Sequence, residues 1–397
     1  GVRRSSASAG AEPRRDCNKA TPQGRSRTLH QTEAALNQPQ NIYARDPMRF
    51  ARAPSALLVA AAVGFGACSP NSVCKLAGPI NDPSNRTLRR SIMYFGLDQF
   101  CMQMTTRSAP LKLTSDSPII GRFYPQHCQQ DVLDNGDLLV HFDGFGYAWT
   151  NLSKKVTFTS AAVIQYNQDF RCADDNSIYA YFDTRVAPPP DFHVVQIEQP
   201  MANLVKGWVA PFADNFGMQI VSGKLAQGFT VIRGDDGSTE FDLGHLPLGQ
   251  HPVHPFNVHA SNRIEWESGR TSVYANERDF IGPITVEDAG RAIYLTMQLD
   301  GQPSVNVLLV PKSEGDASLQ LYTNYGPAGP LAFPPRFADF VQYGVQYQRA
   351  VPVPAGMYYV VIDNTASAGR TTPTPTLPFG IDAAAVVSYA IQIGDAP

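Results

Sequence analysis

The sequence predicts a mainly β protein: a β-rich first domain over 84–245 with one leading amphipathic helix, then an all-β, jelly-roll-like sandwich over 277–397. Three observations carry that expectation. Apolar and polar residues alternate with period two in several stretches after residue 137. Asx-Gly dipeptides sit between those stretches, and helical spacing stands out in one segment near the start. With 397 residues and 43 % hydrophobic content, the chain is able to bury a sizeable core, which excludes disorder for most of its length.

Residues 1–47 are rich in Arg, Ser, Gln and Ala, lack hydrophobic periodicity and do not begin with Met. They are expected to be a disordered leader or upstream translated sequence. Met48 opens an export signal by itself: Arg49 and Arg52 precede an apolar run of 15 residues from Ala53 to Ala67. That run is shorter than the roughly 18–20 residues that span a bilayer, so 48–67 is expected to be a signal peptide rather than a membrane helix. The end of the run, Phe65-Gly66-Ala67-Cys68, resembles the lipobox of bacterial lipoproteins, whose cysteine is diacylated and becomes the new N-terminus. The resemblance covers the 21 residues Met48–Cys68 and departs from the family at Phe65, where an aliphatic residue is usual. It implies cleavage before Cys68 and a membrane partner reached through lipid on that cysteine. Ser69, rather than Asp, follows, which in that family implies the outer membrane. An ordinary secretory signal ending near a cysteine is the alternative, and both readings export the chain.

Residues 68–397 carry 22 Lys+Arg against 31 Asp+Glu, a net charge of −9. That balance repels phosphate backbones and argues against nucleic-acid partners. Cys74, Cys101, Cys128 and Cys172 are an even set in an exported chain, so two disulfides are expected, with three pairings open. No two of them lie close enough in sequence for a zinc knuckle.

Pro70, Pro79 and Pro83 mark 68–83 as a tether. From Asn85 to about Thr105, Leu88, Ile92 and Phe95 recur at helical spacing, as do Met93, Leu97, Phe100 and Met104. Strands follow. Leu138, Val140 and Phe142 alternate with polar neighbours, and Val156, Phe158, Ala162, Ile164 and Tyr166 do the same. Asn135-Gly136 predicts a type I′ hairpin before the first of these. Further strands are expected at 178–182, 192–198 and 228–232, with Pro188–Pro190 breaking the chain between two of them.

Residues 246–276, dense in Pro, His and Asn, are expected to be a connection. Beyond it Ile293 to Leu299, Val305 to Leu309 and Val387 to Ile393 alternate, with Asp300-Gly301 as a turn. The string Pro354-Ala355-Gly356-Met357-Tyr358-Tyr359-Val360-Val361-Ile362-Asp363-Asn364 resembles the last block of bacterial pre-peptidase C-terminal type β-sandwiches, and Gly282–Val310 suits the earlier part of that layout. The resemblance covers about 110 residues and implies a non-catalytic appendage of an exported protein.

His245, His251, His254 and His259 fall within fifteen residues, and His251 with His254 has the i, i+3 spacing of a candidate metal pair. Each of those two precedes a proline in a loop, which favours a polar connection instead. Glu265 with Glu267 and Glu277 with Asp279 are paired acids of the kind glycosidases use, or solvated strand edges. Nucleophile elbows and phosphate loops are missing. Arg233-Gly234-Asp235 imitates an adhesion motif but fits the turn of a hairpin better. Tyr322, Tyr325, Phe333, Phe337, Phe340, Tyr343 and Tyr347 are able to form a sugar-stacking platform or to cover a core. No catalytic residue and no cofactor is implied. The chain is expected to be a non-catalytic envelope or surface protein that binds a protein or glycan partner. A lipid-handling protein with an apolar cavity beside the 85–105 helix is the alternative, and a secreted hydrolase or its accessory subunit is third.

Overall fold

A computed structural model describes residues 72–97, 100–112, 117–149, 155–188, 191–198, 228–258, 260, 262–324, 328–371 and 384–397. The expected leader and signal peptide, Cys68, Pro189, Pro190, His259 and Tyr325 lie outside the described residues.

Turn chemistry organises the first half. Strands β2 (Ile119–Val132) and β3 (Leu138–Trp149), β4 (Lys155–Cys172) and β5 (Ile178–Val186), and β7 (Phe229–Arg233) and β8 (Thr239–Leu243) are three antiparallel hairpins. All three close alike. In the first, Gly136 N–H donates to Leu133 O and Leu133 N–H to Asp137 O; the same pair of bonds recurs at 173–177 and 234–238. Gly136, Asn176 and Gly237 have φ of 77°, 64° and 86°, and Asn135, Asp175 and Asp236 each accept the backbone N–H two residues on. The Asn135-Gly136 hairpin therefore forms, but with one left-handed residue rather than the two of a type I′ turn. Arg233-Gly234-Asp235 leads into the third of these turns.

Side-chain alternation then sorts the faces. Leu138, Val140 and Phe142 of β3 pack with Phe158, Ile164 and Tyr166 of β4 under the helices, while Tyr147 and Trp149 face the other way. Gly144 and Gly146 continue the helix-side row. A Cβ on Gly146 would stand 2.7 Å from Phe158 Cζ, so glycine leaves room for the Phe123 and Phe158 rings, stacked with centroids 6.3 Å apart.

The leading helical segment is α1 (Ala77–Asn81), α2 (Arg86–Leu97) and α3 (Phe100–Thr105), rather than one helix over 85–105. Arginines, besides apolar residues, dock it. The buried Arg89 makes two hydrogen bonds to Asp169 of β4, at 2.7 and 3.0 Å, and Arg90 reaches Asp137 at 3.0 Å. Residues 72–81, expected within a tether, belong to the body: Cys74 and Ile80 are buried against Phe170 and Cys172.

The protein is mainly β, with two sheets. Strands β1 (Ala109–Lys112), β6 (Asp191–Ile197), β9 (Arg263–Val273), β11 (Arg291–Asp300), β14 (Tyr347–Val353) and β16 (Ala385–Asp395) join the hairpins in a twelve-stranded sheet. Its order is β14-β11-β16-β9-β2-β3-β4-β5-β7-β8, with β1 on β2 and β6 on β4. The second sheet is β10 (Arg278–Val286), β15 (Gly356–Asp363), β12 (Ser304–Pro311) and β13 (Phe337–Gln342), in that order. Strands from both expected domains thus share the large sheet. They meet where β2 and β9 run parallel, with Ile119 opposite Thr271. Residues 263–273, expected in the connection, are β9. Their pattern hides the strand because its polar side chains are consumed in buried pairing.

The main core lies between the sheets: Ile293, Leu295, Met297 and Leu299 of β11 share one apolar cluster with Ile281, Val307, Leu309 and Ile362 of the small sheet. Leu308 and Val310 of β12 are buried as well, because α4 (Lys312–Asn324) covers the far face of the small sheet. That helix is absent from the all-β expectation. Gly315 permits it, since a Cβ there would stand 2.3 Å from Tyr359 Cδ2.

Candidate functional site

Where β2 meets β9, a charged cluster replaces backbone pairing. Arg122 of β2 is fully buried. Its Nε donates to Asp279 Oδ1 of β10 at 2.8 Å and its Nη1 to Glu267 Oε1 of β9 at 3.0 Å, while Nη2 donates to the Tyr389 hydroxyl of β16 at 3.0 Å. Asp279 also accepts from Tyr147 and Thr271, at 2.8 and 2.9 Å. Burial disfavours the Arg122 cation, but the Asp279 and Glu267 charges outweigh it and hold the guanidinium well above its ordinary value. One side chain therefore joins three strands of the large sheet to the small sheet.

A second buried group lies at the start of β10. Glu277 accepts from Tyr322 of α4 at 2.5 Å, near Lys155 and Glu198, and burial pushes its carboxyl up to about 7. The acid pairs weighed from the sequence thus lie in structural clusters: Asp279 and Glu267 hold Arg122, Glu277 holds Tyr322, and Glu265 holds His254.

Beside the Arg122 cluster a cleft of about 660 Å³ opens between β2, β3 and β4 on one side and α4 on the other. This size suits a small ligand. Tyr124 and Tyr359 floor it, and the half-buried Phe145 forms a wall, its ring stacked on Tyr124 at 5.4 Å. The Tyr124 hydroxyl donates to Phe280 O at 2.7 Å, which ties the floor to β10. Burial raises that hydroxyl well above its ordinary value, so it stays protonated. Around this floor stand neutral amides and hydroxyls: Gln126, Thr157, Thr159, Gln320, Thr323 and Asn324. Asp316 is the one acid among the described lining residues, and it is held by Lys312 at 2.5 Å and by the Tyr359 hydroxyl at 2.8 Å. Aromatic faces ringed by neutral hydrogen-bonding groups suit a molecule with apolar faces and many hydroxyls.

The histidines lie elsewhere. His251 Nδ1 is 2.8 Å from Glu240 Oε2. His254 faces Glu240 at 3.7 Å through Nε2 and Glu265 at 2.7 Å through Nδ1. His245 pairs with Asp183 at 2.7 Å. Hydrogen bonds to Glu240 and then Glu265 push His254 up to about 10, so it is a cation between two carboxylates. Among the described residues no group of three or more His, Cys, Asp or Glu is arranged to hold a metal ion.

The folded value of His254 lies above its ordinary 6.5, so its pairing stabilises fully below about pH 6.5 and is lost as pH rises through 10. Replacing His254 by Gln is expected to cost about 1–2 kcal/mol at pH 6, after discounting for partial exposure, and almost nothing above pH 10. Urea denaturation of parent and variant at both pH values measures this.

The cysteines pair as Cys74–Cys172 and Cys101–Cys128. Of the aromatic series, Tyr322 and Tyr347 are core residues, and Phe333 and Tyr343 are exposed. None of the four lines the cleft. The alternative apolar cavity would lie beneath α3, where the Phe100 ring instead packs 5.5 Å from Phe182 and 6.0 Å from Phe229. Among the described residues no helix is long and apolar enough to cross a membrane, which says nothing of strands.

No protein-family model matches the chain, and no curated protein sequence matches it. Among solved structures, it is similar to a glycoside hydrolase family 43 arabinoxylan arabinofuranohydrolase from Bacillus subtilis, crystallised with cellotetraose. Identity is 11 % over 69 % of this chain and 67 % of that one, with a TM-score of 0.19, a level that carries no argument about fold or activity.

Proposed function

We propose that this is an exported bacterial envelope lipoprotein, cleaved before Cys68 and held on the outer membrane by lipid on that residue, which binds a glycan in the cleft between β2–β4 and α4. Two disulfides suit an oxidising compartment. The observation that carries the glycan reading is the cleft lining, with stacked Tyr124 and Phe145 beside a rim of neutral amides and hydroxyls. The site is read as one of binding rather than reaction. Glycoside hydrolysis needs two carboxylates across the bond, and the described lining holds Asp316 alone, already paired.

Cys68 and Cys74 are six residues apart, and Cys74 is pinned to β4. A lipid on Cys68 therefore keeps the body within about 20 Å of the bilayer surface, closer than the expected tether implied. In cells, Cys68→Ala is expected to move the protein from the membrane to the soluble fraction; unchanged detergent partition contradicts the anchor. For the cleft, Phe145→Ala is expected to weaken oligosaccharide binding about tenfold by calorimetry, since it removes the stacking wall but leaves the Arg122 cluster intact. Equal affinity in parent and variant contradicts the cleft as the site.

A further inference from the structure

We propose that the ligand of this cleft is an acidic glycan, whose sugar carboxylate is bound by Arg107. The inference rests on the glycan reading of the cleft and adds to it the charge of the sugar.

Arg107 follows α3 and lines the cleft, its guanidinium lying over the Trp266 ring, 4.0 Å from the centroid. The indole fixes the plane of the cation, and among the described residues no group accepts a hydrogen bond from its side-chain N–H groups. Glu267 attracts it through space, but Oε1 of that carboxylate is already shared by Arg122 and Tyr389. Burial lowers the guanidinium from its ordinary value, as befits a cation whose lost hydration has not been fully replaced.

The other basic side chains of the lining have partners: Lys312 in Asp316 at 2.5 Å, and His127 in Asp143 at 2.8 Å. Among the described residues the cleft thus presents one fork of donors without a hydrogen-bonded acceptor, Glu267 acting on it only through space. A planar carboxylate fits that fork with two parallel hydrogen bonds, and a neutral hydroxyl does not.

A second observation is independent of charge. Thr157, on the cleft side of β4, is 2 % exposed, and its hydroxyl has no hydrogen-bond partner among the described residues. A buried hydroxyl left without a partner is costly, and a sugar hydroxyl supplies what it lacks. Carboxylate for Arg107 and hydroxyl for Thr157 are the two groups that a uronic-acid unit carries on one ring.

The test is calorimetry on the full-length protein extracted from membranes. The probes are trimers containing galacturonate, glucuronate or mannuronate, each paired with its carboxyl-reduced counterpart. The parent is expected to bind at least one acid ten- to a hundredfold more tightly than its reduced partner. Arg107→Gln is expected to abolish that preference, lowering affinity for the acid far more than for the reduced sugar, and Arg107→Lys to restore part of it. Equal affinity for acid and reduced forms, or a preference that survives Arg107→Gln, overturns the acidic inference and leaves the glycan reading standing. Failure of the parent to bind either member of every pair overturns both. The comparison of acid with reduced sugar on the parent needs no variant, so it decides the matter even where Arg107→Gln does not fold.

Discussion

Replacing Arg122 by methionine is expected to destabilise the protein by about 3–5 kcal/mol, the range for breaking a fully buried ion pair from one side. The cost comes from what is left behind. Asp279 has no exposed surface, and without the guanidinium its charge is left, among the described residues, with the Tyr147 and Thr271 hydroxyls. The loss falls at the junction of the two halves of the large sheet, where β2 and β9 share little backbone pairing. Combining Arg122→Met with Asp279→Asn is expected to recover about half of the loss, because the stranded charge is gone, the asparagine oxygen accepts from one of the two hydroxyls and its amide N–H donates to the other, which turns to accept. Urea denaturation of the single and double variants measures both. A single variant within about 1 kcal/mol of the parent contradicts the role given to this cluster.

Removing the Cys74–Cys172 bridge by the double substitution to serine is expected to cost about 4–5 kcal/mol. The bridge closes a loop of 98 residues, and the chain-entropy gain from a link of that length is about 4.7 kcal/mol. Cys101–Cys128 spans 27 residues and is expected to contribute about 3.5 kcal/mol. The first bridge also pins residues 72–81 to β4, so its loss is expected to release Ile80 from the core and to lengthen the path from Cys68 to the body. Against a typical domain stability of about 5–15 kcal/mol, reduction of both bridges leaves little. The protein is therefore expected to fold well when exported and poorly in a reducing cytoplasm. Equal yields and melting temperatures with and without reductant contradict this.

The period-two alternation of β3, β4, β11 and β16 was legible in the sequence, because each has one face on an apolar core and the other face polar or partly exposed. Two of the three Asx-containing hairpin turns, at Asn135-Gly136 and after Arg233, left a mark because a left-handed glycine and an acceptor two residues before the returning strand leave few choices of side chain, whereas the turn at 173–177, with Asn176 in place of glycine, did not. β9 and β2 were hidden. Arg122, Glu267 and Thr271 look like solvent-facing residues in one dimension, and only the sheet shows that they satisfy one another. α4 was hidden too, since its sequence, KSEGDASLQLYTN, carries few apolar positions and contains a glycine that is there to admit Tyr359. The cleft was out of reach for a different reason. Thr105, Tyr124, Phe145, Thr157, Gln320 and Tyr359 come from six elements or their ends and have no common spacing. The histidine cluster had the opposite fate, a visible spacing whose members turn toward Glu240 and Glu265.

The cleft between β2–β4 and α4 is the proposed seat of the ligand. Hydrogen exchange on the full-length protein, with and without a saturating oligosaccharide, tests it most directly. A ligand in the cleft is expected to slow exchange at Tyr124–His127, Phe145–Gly146, Thr157–Thr159 and along α4, with no change around His245–His254. Protection confined to the exposed segment around Phe333 and Tyr343, or to the histidine segment, with the cleft strands unchanged, would contradict it.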